Sequence, residues 1–342
     1  MPNNNDLTAG FAKGQDAIFH QRVLPTLGVR GGGISAPRWL FICGQQGSGK
    51  TTLADRLAQD LGSDQTQRIS VDDLTTLLSG PEDDPGISSP DQKRLRQRCI
   101  DGLAEHATSL GAHVIWEAPG PGEIEGVALV ARALGYRTEC LVLALPRAES
   151  WLATLHRSLE SGGPTVRWDF LCSAYRRWPA LLARAEAAHG FDRVAILDRE
   201  GTLCYENQLL GDGRDWATPP FGFESLVIER ARARTRPALD AMLADWQAIR
   251  AHPCLAFRNH PAWAWDSLTA FDNHLREMAT DPATFFDLND PHPVTAPRWI
   301  TRLRDELDDI LAGPEAEGQP DLPARAGRLV ALVSQIAGQP TR

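Results

Sequence analysis

The sequence predicts an α/β fold in which a mostly parallel sheet carries helices on both faces. Short apolar runs of strand length alternate with longer amphipathic segments of helical period up to about residue 205. Glycines or aspartates follow several of these apolar runs. Short buried strands that alternate with helices are typical of parallel sheets covered on both faces. Such sheets bind ligands at the carboxyl ends of their strands, where the polar residues of this chain gather.

The individual elements follow from this alternation. The predicted strands occupy residues 39–43, 68–71, 113–116, 138–145, 193–197 and 203–205. The predicted helices of the same region occupy residues 16–24, 53–61, 90–110, 123–134, 148–160, 168–188 and 224–249. Gly62, Gly111 and Gly135 follow three of these helices and are predicted to end them.

The length of 342 residues allows about two domains. We expect an N-terminal lead-in at residues 1–35 and a core domain at residues 36–250. Residues 251–342 are expected to form a helical C-terminal extension that is rich in Pro and contains Trp. Its helical stretches are predicted at residues 264–278, 297–312 and 323–336.

Composition excludes several classes of protein. A formal net charge of −9 argues against a nucleic-acid-binding surface, because phosphate contacts need clustered Lys and Arg. No apolar run approaches the roughly 20 residues that span a bilayer, and the polar N-terminus lacks the pattern of a signal peptide. The six cysteines lack metal-ligand spacing and mostly lie in apolar contexts. We therefore expect a cytoplasmic protein without nucleic-acid or membrane partners.

One motif carries specific chemistry. The pattern G-x-x-x-x-G-K-[ST] is met by Gly44-Gln45-Gln46-Gly47-Ser48-Gly49-Lys50-Thr51. It stands between a predicted strand and a predicted helix, the context that a P-loop requires. The backbone N–H groups of such a loop bind phosphates, the Lys reaches the β- and γ-phosphates, and the Thr hydroxyl ligates Mg²⁺. The motif predicts that the chain binds ATP or GTP with Mg²⁺.

Acidic residues after two other predicted strands suggest phosphoryl transfer. Asp73 follows the second strand and is a candidate for the base that accepts the proton of an acceptor hydroxyl. Asp72 and Asp73 could equally cap the next helix, and spacing alone leaves both interpretations open. Glu117 ends the third strand and is a candidate for binding the acceptor. Arg157 and Arg167 flank a Gly-rich turn, as the arginines of a small lid would, although each could also be a solvated surface charge.

These residues together resemble the zeta toxin family, the P-loop kinases of epsilon–zeta toxin–antitoxin systems. The likeness runs over residues 19–249 and includes the P-loop, the acidic pair, the strand that ends at Glu117 and the late turn at residues 198–201. It implies a kinase that phosphorylates a sugar hydroxyl of UDP-N-acetylglucosamine. It further implies that Asp73 is the general base, that Lys50, Arg157 and Arg167 form a phosphate clamp, and that Asp101 and Glu117 face the acceptor. An epsilon-type antitoxin is a possible partner by resemblance only.

The acceptor side departs from the best-known members. They follow the strand-end Glu with a Gly-Thr-Gly-Arg-type segment, where this chain has Ala118-Pro119-Gly120-Pro121-Gly122, and Asp101 stands where they have a Glu. Three hypotheses therefore remain open. The chain is a UDP-N-acetylglucosamine kinase, a kinase of another small acceptor (a dinucleotide, an antibiotic or another nucleotide sugar), or a nucleotide-binding interaction protein without turnover.

Overall fold

The computed structural model describes ten stretches of the chain. They are residues 16–78, 90–118, 124–161, 166–211, 215–232, 236–251, 262–280, 296–314, 316–317 and 319–338. The predicted loop at residues 79–90 and the segment after Glu117 fall mostly outside these residues. No helix in the described stretches is both long enough and apolar enough to cross a membrane.

Six strands form one sheet in the order β2-β3-β1-β4-β5-β6. Their bounds are β1 Arg38–Cys43, β2 Thr66–Ile69, β3 His113–Glu117, β4 Arg137–Leu143, β5 Arg193–Leu197 and β6 Leu203–Gln208. Strand β3 pairs in parallel with both β1 and β2, whereas β5 and β6 form an antiparallel hairpin. The sheet is thus mostly parallel, which confirms the predicted fold class.

Contacts along the chain define two compact units. The first unit comprises residues 1–42, 50–119 and 123–140. Its helices are a π-helical turn at Phe19–Val23, α1 Leu24–Leu27, α2 Lys50–Leu61, α3 Val71–Leu78, α4 Pro90–Leu110 and α5 Ile124–Ala133. Buried apolar residues of β1 and β3, such as Leu40 and Ile115, form its core.

The second unit comprises residues 43–49, 120–122 and 141–342. Its helices are α6 Arg147–Ser161, α7 Trp168–Ala187, α8 Gly222–Ala231, α9 Arg236–Ala251, α10 Ala262–Thr280, α11 Ala296–Leu311 and α12 Leu322–Gly338. Among the residues described in this unit, two clusters contribute to the core. Aromatic residues of α6, α9 and α10, including Trp151, Trp246 and Phe271, form one. Apolar faces of α7, α8, α11 and α12 form the other, so the helical C-terminal region packs on α7 and α8.

Two elements differ from prediction for local reasons. The predicted helix at 224–249 is two helices, α8 and α9, because Arg232 leaves the helical conformation (φ −52°, ψ 128°) and Pro237 occupies the first turn of α9, where Pro is tolerated. The second strand ends at Ile69, before the predicted residue 71, and Val71 begins α3. The predicted boundary of a C-terminal extension at residue 251 stays a prediction.

Candidate active site

The phosphate-binding loop follows β1 and precedes α2, as the motif requires. Gly47 has a φ of +75°, and a Cβ built there would stand 2.0 Å from the backbone oxygen of Ser150. Any side chain at this position would therefore push the loop away from α6. Gly49 has a φ of +95°, a conformation that L side chains rarely adopt. Both glycines are needed for the path of the loop rather than for a contact of their own.

Two polar atoms of the loop are suited to contact a ligand. Ser48 is fully buried, and within the described part of the chain its Oγ has no hydrogen-bond partner. The buried Oε1 of Gln46 likewise lacks one there. A buried polar atom without a partner costs about 1–3 kcal/mol, so native proteins rarely keep one without a use. A hydroxyl donor in a Gly-rich loop suits an oxygen of a phosphate, and these residues therefore fit a nucleoside triphosphate.

The next residues of the motif open helix α2. Lys50 and Thr51 stand in its first turn, where the helix dipole favours anions. The Oγ1 of Thr51 donates a hydrogen bond of 2.7 Å to Oε2 of Glu117 at the end of β3. The Thr51 hydroxyl, predicted to ligate Mg²⁺, therefore lies beside a buried carboxylate. Hard oxygen donors of this kind are those that Mg²⁺ prefers.

Among the described residues, no cluster of three or more His, Cys, Asp or Glu side chains could hold a metal ion. Mg²⁺ in phosphoryl-transfer sites is usually held by one or two protein oxygens together with phosphates and water. The pair Thr51 and Glu117 fits that arrangement.

Arg68, which the sequence analysis did not identify, lies between three carboxylates of the first unit. Its Nη2 donates 2.9 Å to Oε1 of Glu117 and stands 4.0 Å from Oδ2 of Asp73, and its Nη1 pairs with Asp55. Burial alone would lower the pKa of Arg68, but the hydrogen bond and charge of Glu117, with Asp55 and Asp73, raise it above its usual value. The guanidinium therefore stays charged and links the candidate base Asp73 to Glu117. The sequence signal that could have identified Arg68 was the presence of a charged residue inside a short strand.

The acidic candidates fall in different environments. Asp72 and Asp73 occupy the first turn of α3, and Asp73 is exposed. The Oγ of Ser70 accepts a hydrogen bond of 3.3 Å from the N–H of Asp73, so Ser70 acts as the helix cap. The capping role that the sequence left open for Asp72 and Asp73 is thus filled by Ser70. Asp101 is exposed on α4, where its Oδ1 accepts a bond of 2.9 Å from Gln97.

The two arginines of the predicted lid lie in the second unit. Arg157 is exposed near the end of α6, and Arg167 directly precedes α7. Arg167 makes two hydrogen bonds to Asp169, of 3.0 and 2.6 Å. The hydrogen bond from Arg167 lowers the pKa of Asp169. The turn between the helices, at residues 162–165, falls outside the described residues. The roles assigned to both arginines stay predictions.

The side chain of Gln45 anchors the loop. Its Nε2 donates to the backbone oxygen of Leu145 (2.8 Å) and to Oγ of Ser150 (2.7 Å). Its Oε1 accepts a bond of 2.9 Å from Nη2 of Arg230, a fully buried residue of α8. Arg230 was not predicted from the sequence, although Phe223, Val227 and Arg230 share the apolar stripe of that helix.

The second unit also holds a cavity of about 470 Å³. Helices α6 and α9 and the turn after β5 contribute its lining, which is Glu149, Leu152, Ala153, His156, Arg199, Ala238, Ala241, Met242 and Asp245. The Nε2 of His156 lies 2.8 Å from both carboxylate oxygens of Asp245. Helix α6 also carries Ser150, the partner of Gln45, so the same helix contacts the phosphate loop and borders the cavity.

Comparison with known proteins is consistent with this geometry. A family model described as Zeta toxin matches residues 32–209. The fold is similar to that of a structure of the PezAT chromosomal toxin–antitoxin system of the human pathogen Streptococcus pneumoniae, with 16% identity and a TM-score of 0.52 over 74% of this chain and 99% of that chain. At this identity the likeness shows the fold alone.

Two structures of the AvrRxo1-ORF1:-ORF2 complex are more distant. The native complex has 15% identity and a TM-score of 0.44 over 69% of this chain and 80% of that chain. The complex with ATP has 15% identity and a TM-score of 0.44 over 76% and 87%. No curated protein sequence matches the chain. Because the Zeta toxin model covers more than half of the sequence, the chain belongs to the Zeta toxin family.

Proposed function

We propose that the protein is an ATP-dependent kinase that transfers the γ-phosphoryl group to a hydroxyl of UDP-N-acetylglucosamine or a related nucleotide sugar. The observation that supports it most is the P-loop whose buried Ser48 Oγ lacks a partner among the described residues, in a member of the Zeta toxin family. Phosphoryl transfer needs positioned cations on the phosphates and a carboxylate at the attacking hydroxyl. The chain offers both kinds of group.

In this proposal Asp73 accepts the proton of the acceptor hydroxyl. The hydroxyl oxygen then bonds to the γ-phosphorus while the bond from that phosphorus to the bridging oxygen breaks, leaving ADP. Lys50, Arg157 and Arg167 hold the phosphate oxygens. Mg²⁺ when bound neutralises charge on the phosphates, with the Thr51 hydroxyl as its protein ligand. Arg68 stands 4.0 Å from the Asp73 carboxylate and would help to orient it toward the acceptor hydroxyl.

The nucleoside part of ATP is assigned to the cavity beside α6. Its volume of about 470 Å³ is in the usual range for small-molecule pockets. Leu152, Ala153 and Met242 offer apolar surface for a base, and His156 with Asp245 offers polar groups at its edge. Helix α6 supplies both Ser150, next to the loop, and this lining, so one helix would serve both ends of the nucleotide.

Glu117 and Asp101 are the predicted acceptor-binding residues. Glu117 already contacts Thr51 and Arg68, which favours a role in positioning those two groups next to the acceptor. Asp101, exposed on α4, would accept hydrogen bonds from the acceptor. A cytoplasmic location follows from the proposed substrates, and an epsilon-type antitoxin is the proposed partner by family membership.

Incubation with Mg-ATP or Mg-GTP and a panel of acceptors, followed by mass spectrometry, tests the proposal. We expect an added phosphate on UDP-N-acetylglucosamine with the parent chain and none with Lys50→Ala. Phosphate on another acceptor alone would assign the chain to the second hypothesis. Expression of the chain in cells gives a second measurement. Growth arrest that persists with Asp73→Asn, without any phosphorylated product, would favour an interaction protein without turnover.

A further inference from the structure

A chain of contacts within the second unit connects the C-terminal region to the phosphate-binding loop. It begins at Arg230, whose guanidinium is fully buried in α8. Among the described residues it donates to two neutral acceptors, the Oε1 of Gln45 at 2.9 Å and the backbone oxygen of Tyr175 at 2.6 Å. Burial lowers the pKa of Arg230. A buried charge with neutral acceptors needs compensation from farther groups.

Pro179 explains why the oxygen of Tyr175 is available. It lies inside helix α7 and has no N–H, so the carbonyl four residues earlier, that of Tyr175, has no helical donor. Arg230 supplies the missing donor. Its guanidinium also lies 4.0 Å from the centre of the Tyr175 ring, close enough for a cation–π interaction.

The compensating charge comes from helix α11. Arg147 also contacts the Tyr175 ring, at 4.9 Å, and its Nη2 pairs with Oε2 of Glu306 at 2.7 Å. Burial raises the pKa of the Tyr175 hydroxyl, and the nearby charge of Glu306 raises it further. Leu303, Leu307 and Ile310 of the same helix pack against the core that contains Phe223 and Val227 of α8. Glu306 is therefore held in place by the packing of α11.

We propose that Glu306 and Arg230 are positioning residues through which helix α11 of the C-terminal region holds Gln45, and with it the phosphate-binding loop. This inference rests on the proposed function only in that residues 44–49 bind a nucleotide. Neutralising Glu306 leaves Arg147 with the longer contact of 3.7 Å to Asp309, while Arg147 and Arg230 still lie on one aromatic ring. The hydrogen bond from Arg230 to Gln45 then weakens, and the loop conformation that binds the nucleotide is less well preorganised.

The test is a titration of the full chain with mant-ATP, a fluorescent ATP analogue, in the presence of Mg²⁺. Glu306→Gln is expected to raise the Kd roughly threefold to thirtyfold, the range for substitutions that act through a packed network. Glu306→Asp, which keeps the charge, is expected to recover most of the affinity. Glu224→Gln is the matched control, because Glu224 is a buried carboxylate of α8 that pairs with Arg325 of α12 at 2.6 Å. It should lower Tm without changing the Kd.

A double-mutant cycle tests whether Glu306 affects nucleotide binding through Gln45. If Glu306 acts through Gln45, the Kd of Gln45→Met combined with Glu306→Gln equals that of Gln45→Met alone. Additive effects, an unchanged Kd in Glu306→Gln, or an equal change in Glu224→Gln would overturn the positioning role. If Glu306→Gln does not fold, Arg230→Lys tests the same path, because Lys keeps the buried charge but lacks the guanidinium fork that bonds both Gln45 and Tyr175. If the parent chain itself fails to bind mant-ATP, the proposed function is overturned together with this inference. If the parent chain binds and Glu306→Gln binds equally well, the positioning role alone is overturned.

Discussion

Arg68 and Glu117 form a hydrogen-bonded ion pair of 2.9 Å that joins the ends of two neighbouring parallel strands. Glu117 also accepts the Thr51 hydroxyl, so one carboxylate orients a predicted Mg²⁺ ligand and the cation beside the predicted base. The pair is placed by the register of β2 and β3, in which Arg68 lies opposite Ile115 and Ile69 opposite Trp116. Glu117 thus extends one residue past the end of β2.

Loss of the Glu117 charge should reduce catalysis as well as stability. Glu117→Gln is expected to lower kcat at least tenfold and to cost about 1.5–3 kcal/mol of unfolding free energy, because Gln offers one acceptor oxygen to the two donors Arg68 and Thr51. Steady-state kinetics and urea unfolding measure the two effects. Glu139→Gln is the matched control, since Glu139 is a buried carboxylate that pairs with Arg38 in the same unit. It should destabilise comparably and leave kcat unchanged; a similar loss of kcat in both variants would contradict the assignment.

Substitution of Asp73 and substitution of Asp72 should have very different effects on kcat, although the two residues are adjacent in α3. Asp73→Asn is expected to lower kcat about 10²–10⁴-fold, the usual contribution of a general base, while Mg-ATP still binds. Asp72→Asn should have little effect on kcat. Rapid-quench assays with equilibrium nucleotide binding separate the two steps. Equal kcat values for Asp73→Asn and the parent chain would remove Asp73 from the mechanism.

Arg167 must exchange Asp169 for phosphate if it belongs to the clamp. Exposed ion pairs contribute little, so the exchange is easy. We expect Arg167→Ala to lower kcat/KM for ATP about a hundredfold or more. Asp169→Asn should maintain or raise it. Arg94→Ala is the control, because Arg94 is an exposed helical Arg that pairs with a nearby Asp91. A loss in Asp169→Asn as large as that in Arg167→Ala would show that the pair is structural.

The cavity beside α6 should affect nucleotide binding more than chemistry. His156→Ala is expected to raise KM for ATP about tenfold with kcat nearly unchanged, because contacts to the nucleoside act equally in the ground and transition states. Glu206→Gln, which removes the Arg193 pair of the β5–β6 hairpin, is the control and should leave KM unchanged. An unaltered KM in His156→Ala would place the nucleoside elsewhere.

His113 should make stability depend on pH. Its Nδ1 accepts a hydrogen bond of 3.0 Å from the N–H of Arg38, and burial, with the charge of Arg38, lowers its pKa. The unfolded chain therefore binds more protons, so stability is complete above the ordinary His pKa of about 6.5 and falls as pH drops through it. His113→Asn keeps an acceptor without the titration. Its Tm should fall less between pH 8 and pH 5, by on the order of 2 °C, in thermal scans; parallel curves would contradict this origin.

The sequence predicted the bounds of helices and strands well where an apolar run or a terminating glycine marks them. Strand β5 and helix α4 have the predicted bounds, because apolar runs and terminal glycines are encoded within a few residues. The break between α8 and α9 was not predicted, since Ala- and Arg-rich residues on both sides favour a helix, although Pro237 was a local signal against a continuous one.

The candidate site shows the same division. The P-loop was predictable because its phosphate-binding groups are main-chain atoms of consecutive residues. Arg68 and Arg230 were not predictable, because the role of a charged residue in a strand or an apolar stripe depends on hydrogen-bond partners that are far away in sequence. Glu117 is 49 residues from Arg68, and Gln45 is 185 residues from Arg230.

The amino-acid sequence by itself determined the α/β class, the phosphate-binding motif and the family, since all three depend on the order and spacing of nearby residues. Tertiary structure alone decided that Thr51, Arg68 and Glu117 form one hydrogen-bonded group, and that a guanidinium from α8 holds Gln45. Hydrogen bonds between side chains depend on distances of a few tenths of an ångström, and only the packing of strands and helices sets these.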